Sequence, residues 1–238
     1  MRLRVNLTPP EGVAKVDLNY SYYLSSLIYR AIKSADKTLS LELHRPYGPK
    51  LFTFSKLFAE NFKIDGGRMW IEGSAHFFFS SPKNEMCGKF VEGLLTNPEV
   101  NIGDAQFLVT GIEVLREKKI GKKEKFVTLS PITVSTVERQ GYSRKSVDLY
   151  PSDARFYEVI RKNLVKKYVA LHGIEPEDVE LSIKPIAVKP KRLRIKNTFH
   201  RCSEMVFVAE GSRELLEVGY KTGFGAKNSM GFGMVKVV

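Results

Sequence analysis

Three side chains near the start of the chain have the types and spacing that proton-transfer chemistry uses. His44 lies in Leu43-His-Arg-Pro-Tyr-Gly-Pro-Lys50, where a proline and a Gly-Pro pair form a turn able to fold the Lys50 ammonium back beside the imidazole. An ordinary imidazole pKa near ~6.5 lets such a group pass protons close to neutral pH. Upstream, Leu24, Leu27, Ile28, Ala31 and Ala35 recur at helical spacing, and on that helix Tyr29 falls away from the apolar stripe, beside Tyr22 and Lys33. A phenol on an exposed face is available for chemistry. A lone histidine is more often structural; His76, among phenylalanines, and His172, just before Gly173, read that way. Residue types alone leave His44 between the two readings.

The elements that must position these groups and hold a substrate follow from composition and pattern. The chain has 238 residues, a formal net charge of +12 and 43% hydrophobic residues, with a pI near 9.6 and a mean hydropathy of -0.19. That balance describes a globular protein with a positive field, for which a phosphate-rich partner is the natural expectation. No apolar run approaches the ~20 residues a membrane span requires, and no long basic amphipathic helix suggests binding to a lipid surface. Pro9-Pro10 interrupts the N-terminal segment before any signal-peptide core could form, so a cytoplasmic protein is expected. Cys87 and Cys202 stand alone, without a Cys-x-x-Cys pair, and read as reduced core thiols. The four histidines show no ligand spacing, so neither a structural metal nor a cofactor is expected.

The pattern along the chain is α+β. Alternation predicts a strand over Arg2 to Leu7, a helix over Tyr20 to Ala35, two strands over Lys50 to Ile64 and Met69 to Ser80 joined by an Asp65-Gly66-Gly67 turn, a helix over Lys83 to Leu95 and a strand over Phe107 to Leu115. The order is βαββαβ. After a charged connector it begins again, with a strand over Phe126 to Val137, a helix over Asp153 to Leu171 capped by Ser152, strands over Val179 to Val188 and Glu204 to Ala209, a short helix over Arg213 to Val218 and a last strand over Met234 to Val238. Doubled βαββαβ order is the tandem ferredoxin-like, or RRM-like, architecture, with domains expected at 1–120 and 121–238. Leu39 to His44 is ambiguous, since it alternates like a strand but fits a short helix.

Two segments suit a polyanion. The tail carries two Gly-Phe-Gly triplets, Gly223 to Gly225 and Gly231 to Gly233, around Lys227, Asn228 and Ser229. Such glycine density lets a backbone approach a partner and offer its N–H groups to anions. The tail lacks both the G-x-G-x-x-G and the Gly-Lys-Ser/Thr templates. It follows an RNA-recognition strand consensus in part, departing at Met230, Met234 and Val237, and the alternative is a turn that packs on its own sheet. The second segment, Lys184 to Lys196, contains Lys189, Lys191, Arg192, Arg194 and Lys196. Arg192, Arg194 and Lys196 would share one face of an extended ribbon, at a spacing near that of phosphates along a single strand. A solvated edge strand guarded by lysine and proline is the alternative.

These residues carry a resemblance. Leu27-Ile-Tyr29, Leu43-His44, Gly48-Pro-Lys50-Leu-Phe-Thr-Phe, Thr128-Leu-Ser-Pro-Ile, Lys189-Pro-Lys-Arg and the Gly-Phe-Gly tail together look like the CRISPR-associated endoribonuclease, family six, along nearly the whole chain. The resemblance implies a tandem ferredoxin-like fold and a metal-independent endoribonuclease that cuts precursor CRISPR RNA within its repeats. Attack by a ribose 2′-OH would leave 5′-OH and 2′,3′-cyclic phosphate ends. It implies Tyr29 as base or 2′-OH positioner, His44 as general acid and Lys50 as phosphate stabiliser. The RNA would be held by Lys189, Lys191, Arg192, Arg194, Lys196, Gly223, Gly225, Lys227, Asn228, Ser229, Gly231 and Gly233. The implied partner is single-stranded or weakly structured CRISPR repeat RNA, with a homodimer and hand-off of product to a CRISPR effector complex left open. The alternatives are a noncatalytic repeat-RNA-binding paralogue and a ribonucleoprotein scaffold without repeat preference.

Overall fold

A computed structural model describes residues 1–140 and 143–238. In chain order its elements are β1 (Arg2–Thr8), β2 (Val13–Asp17), α1 (Ser21–Ala35), α2 (Lys37–His44), β3 (Thr53–Phe54), β4 (Phe58–Asp65), β5 (Arg68–Ser80), α3 (Asn84–Thr96), β6 (Glu99–Ile102) and β7 (Ala105–Leu115). There follow β8 (Lys123–Thr128), β9 (Val134–Gln140), β10 (Ser143–Leu149), α4 (Ala154–His172), β11 (Leu181–Ile195), β12 (Thr198–Gly211), α5 (Arg213–Thr222) and β13 (Val235–Val237), with a turn of 3₁₀ helix at Asn228–Met230. The chain forms two compact units, Met1–Lys50 with Ser55–Glu117, and Leu51–Phe54 with Lys118–Val238.

In the first unit β1 pairs antiparallel with both β5 and β7, and β4 closes against β5, so the central order is β7-β1-β5-β4. This is the ferredoxin-like order, to which β2 and β6 add flanking strands. Alternate residues of β1 and β5, among them Leu3, Val5, Phe77 and Phe79, are fully buried, as are Leu24 and Ile28 of α1 and Phe90 of α3. The helices approach closely because α3 offers Gly93: a Cβ there would lie 1.9 Å from the Ala31 carbonyl oxygen. That contact seats α1, which carries Tyr29.

The ambiguous segment is helical. Asp36 caps α2 by accepting a hydrogen bond from the Leu39 amide at 2.9 Å. Ser40 and Leu43 are buried one turn apart while Leu41 is exposed, so helical rather than alternating burial holds.

The second unit repeats the order as β13-β8-β12-β11, all antiparallel, and adds the hairpin β9–β10 between β8 and α4. The expected strand over Phe126 to Val137 is instead two, because the chain turns at Leu129-Ser130-Pro131 between β8 and β9. The α4 cap is Asp153 rather than Ser152; its carboxylate accepts from the Arg155 amide at 2.9 Å. Phe156, Ile160 and Leu164 of α4 pack with Leu215 and Leu216 of α5 over Phe126, Met205 and Phe207 of the sheet. Cys87 and Cys202 are both free and buried, and burial pushes their thiols up to about 11 and about 12.

β11 runs seven residues past the expected end, through Pro185 and Pro190. As the outer strand of its sheet it tolerates both, since a missing N–H removes nothing when no neighbour waits for it.

Candidate active site and nucleic-acid surface

Tyr29 and His44 meet in the first unit although they stand on different helices. Tyr29 projects half-buried from α1, His44 ends α2 exposed to solvent, and their rings stack with centroids 4.9 Å apart at 29°. The buried Leu43 pins the last turn of α2 and thereby sets where the imidazole can reach. Lys50 lies beyond the Arg45-Pro-Tyr-Gly-Pro loop, and its ammonium donates to the Arg45 carbonyl oxygen next to His44. Burial lowers the Lys50 pKa. Imidazole, phenol and a cation tethered to the same loop are the groups that a ribose transesterification uses. Of the other two assigned histidines, His76 is half-buried and stacks on Phe58 at 5.4 Å, whereas His172 is exposed at the end of α4 with its ring tilted against Tyr168 at 4.4 Å.

In the second unit β11 distributes its cations over two faces. Lys189 and Lys191 alternate onto one, Arg192 and Arg194 onto the other. Lys191 is half-buried and 3.8 Å from Glu204, whereas the Arg192 guanidinium lies over the Phe199 ring at 4.0 Å. Lys196 does not continue the arginine face: it sits in the β11–β12 turn with φ 52, and that left-handed residue ends the alternation.

The glycine-rich tail is built differently from the expectation of outward-facing amides. Phe224 and Phe232 are fully buried, and both triplets fold onto the sheet. The amides of Phe224, Ala226, Gly231 and Gly233 donate to the carbonyls of Gly233, Thr133, Asn228 and Pro131 at 2.8 to 3.1 Å. The incomplete RNA-recognition strand therefore presents no stacking ring at Phe232. Close approach is the reason for glycine at Gly233, where φ is +77 and a Cβ would lie 2.0 Å from the Phe224 carbonyl oxygen. What the loop turns outward is Lys227, with Ser229 half-buried beside it. Asn228 is 8% exposed and works inside the loop, its amide donating to the Phe224 and Phe232 carbonyls at 3.2 and 2.9 Å.

Two side chains from other sequence motifs, Ser130 and Thr53, bracket this tail. Ser130 of the Thr128-Leu-Ser-Pro-Ile motif accepts from the Met234 amide at 3.0 Å and donates to the Phe54 carbonyl at 2.9 Å; Thr53 donates to the Phe232 carbonyl at 3.0 Å. Lys167 was not among the expected site residues. Its ammonium is buried under the loop and donates to the carbonyls of Gly223 and Gly225 at 2.7 and 3.1 Å and to Asn228 Oδ1 at 2.6 Å.

Two antiparallel 4-1-3-2 sheets with paired helices, one unit bearing a stacked tyrosine–histidine pair and the other a glycine-rich tail, place the chain in the class of tandem ferredoxin-like proteins. Residues 15–113 match the family described as CRISPR-associated protein Cas6, N-terminal, and residues 115–237 match CRISPR associated protein Cas6, C-terminal. The chain belongs to the Cas6 family. It is 44% identical over 242 residues to the CRISPR-associated endoribonuclease Cas6 of Pyrococcus furiosus, covering 100% of this chain and 90% of that one. It is 39% identical over 238 residues to the CRISPR-associated endoribonuclease Cas6 1 of Methanocaldococcus jannaschii, covering 99% of this chain and 92% of that one. The solved structure for a Cas6-related gene of Pyrococcus furiosus superposes with a TM-score of 0.93 at 36% identity, over 100% of this chain and 98% of that one. Among the described residues no helix is long and apolar enough to cross a membrane.

Proposed function

We propose that this protein is an endoribonuclease that cuts precursor CRISPR RNA within its repeats by metal-independent transesterification. The observation that carries the reading is the Tyr29–His44 ring stack at 4.9 Å in a chain 44% identical to a CRISPR-associated endoribonuclease. The ribose 2′-oxygen attacks the adjacent phosphorus as its proton passes to Tyr29 in its phenolate form, or to water held in place by the Tyr29 phenol. The bond from phosphorus to the 5′-oxygen breaks, and His44 delivers a proton to that leaving oxygen. The Lys50 ammonium exchanges its bond to the Arg45 carbonyl for the non-bridging phosphate oxygens, where negative charge builds. The products are a 2′,3′-cyclic phosphate and a 5′-OH. Tyr29 can accept that proton only after losing its own, because a phenol with an ordinary pKa near ~10 is mostly protonated at neutral pH.

The test is incubation of end-labelled repeat RNA with the protein in excess EDTA, with the ends mapped. Cleavage to cyclic phosphate and 5′-OH ends is expected. An intact but shifted band would instead establish the noncatalytic repeat-RNA-binding reading, and competition by unrelated RNA would establish a scaffold without repeat preference.

The RNA-binding part of the proposal assigns backbone phosphates to the exposed cations Lys189, Arg192, Arg194, Lys196 and Lys227, with the half-buried Lys191 at their margin. Replacing one contacting cation on β11 by alanine should reduce the slope of log K against log salt by about 0.7, the value for one phosphate of a single strand. Titrations at several salt concentrations read it, and unchanged slopes in every single variant would remove β11 from the binding surface.

A further inference from the structure

Lys167 is a buried cation that the proposed chemistry does not use. It occupies the core stripe of α4, following Phe156, Ile160 and Leu164 at helical spacing, and is 6% exposed. Its three donors meet three acceptors, the Gly223 and Gly225 carbonyls and Asn228 Oδ1, at 2.6 to 3.1 Å. Only an ammonium supplies three donors, so this cradle fits the charged form; a neutral amine would turn its lone pair toward one of the oxygens. Asn228 passes the connection on to the Phe224 and Phe232 carbonyls, so one hub ties together both Gly-Phe-Gly triplets.

None of these acceptors is anionic. Among the described residues, charged and titratable groups on the surrounding elements include Lys227 of the loop, Arg213, Glu214, Tyr220 and the Lys221–Glu217 pair of α5, His200 of β12, Lys184 of β11, Glu138 and Arg139 of β9 and Tyr168 beside Lys167 on α4. Lys221 and Glu217 hold each other at 2.8 Å, Glu138 is held by Arg155 at 2.8 Å, and Glu214 acts on Tyr168. Burial pulls the Lys167 pKa down from an ordinary 10.5 to about 7, against the three acceptors that favour the ammonium. A buried ammonium without a carboxylate is one half of an ion pair.

We propose that Lys167 is a positioning residue for RNA capture: it holds the glycine-rich loop in shape, and its charge, which meets only neutral acceptors among the described residues, is completed by an RNA phosphate lying against the outer side of that loop. The proposal rests on the reading of the loop as an RNA contact. A phosphate there favours the ammonium over the amine, so RNA binding takes up a proton when the pH exceeds the free-protein pKa. Affinity therefore falls as pH rises through neutrality.

Binding of a fluorescently labelled CRISPR-repeat RNA is measured at fixed salt for the full chain and for Lys167→Met, at pH values of about 6.5 and about 8.5. One proton taken up weakens binding by at most tenfold per pH unit, and the wild type is expected to lose about tenfold across the interval. Lys167→Met is expected to bind about tenfold more weakly at the lower pH and to approach the wild type at the higher one. A lysine that only filled space would give parallel profiles, and parallel profiles overturn the proposal. Amide hydrogen exchange without RNA reads the shape of the loop separately: exchange across Gly223 to Gly233 should quicken in Lys167→Met, and unchanged exchange also overturns it. If Lys227→Ala leaves affinity unchanged while Lys167→Met quickens exchange, the reading of the loop as an RNA contact has failed, and the RNA half of the proposal falls with it. Should Lys167→Met not fold, the Nζ resonance of Lys167 in the wild type is titrated by NMR with and without RNA. An upward move of its titration in the complex supports the proposal, and an unmoved one overturns it.

Discussion

Replacing His44 by alanine lowers cleavage of repeat RNA by about 10²- to 10⁴-fold, the usual contribution of a positioned general acid, and leaves RNA affinity within a few-fold. The imidazole is exposed at the last residue of α2, where its loss opens no cavity, and the helix keeps its Asp36 cap and its buried Leu43 anchor. Tyr29 keeps its place on α1. The cations assigned to RNA lie on β11 and in the loop of the other unit, so binding has little reason to follow activity down. Single-turnover cleavage with enzyme in excess, paired with a binding titration, measures both quantities. Equal losses in the two would assign His44 to the binding surface or the fold, and the proton delivered to the 5′-oxygen would need another donor.

The second large effect is on stability. Phe224→Ala should destabilise the protein by about 3–5 kcal/mol, the range for removing a buried aromatic ring from a close-packed core. Phe224 stands 5.4 Å from both Phe126 and Phe207, ring centre to ring centre, and has no exposed surface. Its seat has been cleared on purpose, since a Cβ on Gly219 would lie 2.6 Å from the ring. With the ring gone, two phenylalanines on the rigid strands β8 and β12 face a void they cannot close. Denaturant unfolding reads the change, and a cost below about 1 kcal/mol would mean that the loop repacks freely. The triplet thus owes its phenylalanine to the core and its glycines to close approach.

Long periodic elements were legible in the sequence. α1, α3, α4, β1 and β5 come out at nearly their observed limits because one face of each is buried along its length, and burial is what periodicity records. β2 and β6 escaped because five and four residues are too few to show a period. β10, Ser-Arg-Lys-Ser-Val-Asp-Leu, is polar enough to read as a loop. β11 was read as a strand ending at Val188 and, separately, as an extended ribbon over Lys184 to Lys196; the two are one edge strand, where proline is tolerated. Of the candidate site, residue types left His44 undecided and the family resemblance assigned Tyr29, His44 and Lys50, whereas the stacking of the first two depends on α2 being a helix, which alternation left undecided. The tail misled in one respect: glycine density announces close approach but not its direction, and here the partner approached is the protein's own backbone. Lys167 did leave a trace, a lysine standing where the apolar stripe of α4 calls for a hydrophobic residue.

Leu51 to Phe54 belong to the second unit while the residues on either side belong to the first. Phe52 and Phe54 are completely enclosed, and Thr53 finds its partner 179 positions later, at the Phe232 carbonyl. On the ribosome Thr53 emerges early, and its Phe232 partner follows only when almost all of the remaining chain has been made. Maturation of the second unit is therefore tied to the end of synthesis, and cutting the gene at the boundary near residue 118 would separate Thr53 from the carbonyl it bonds.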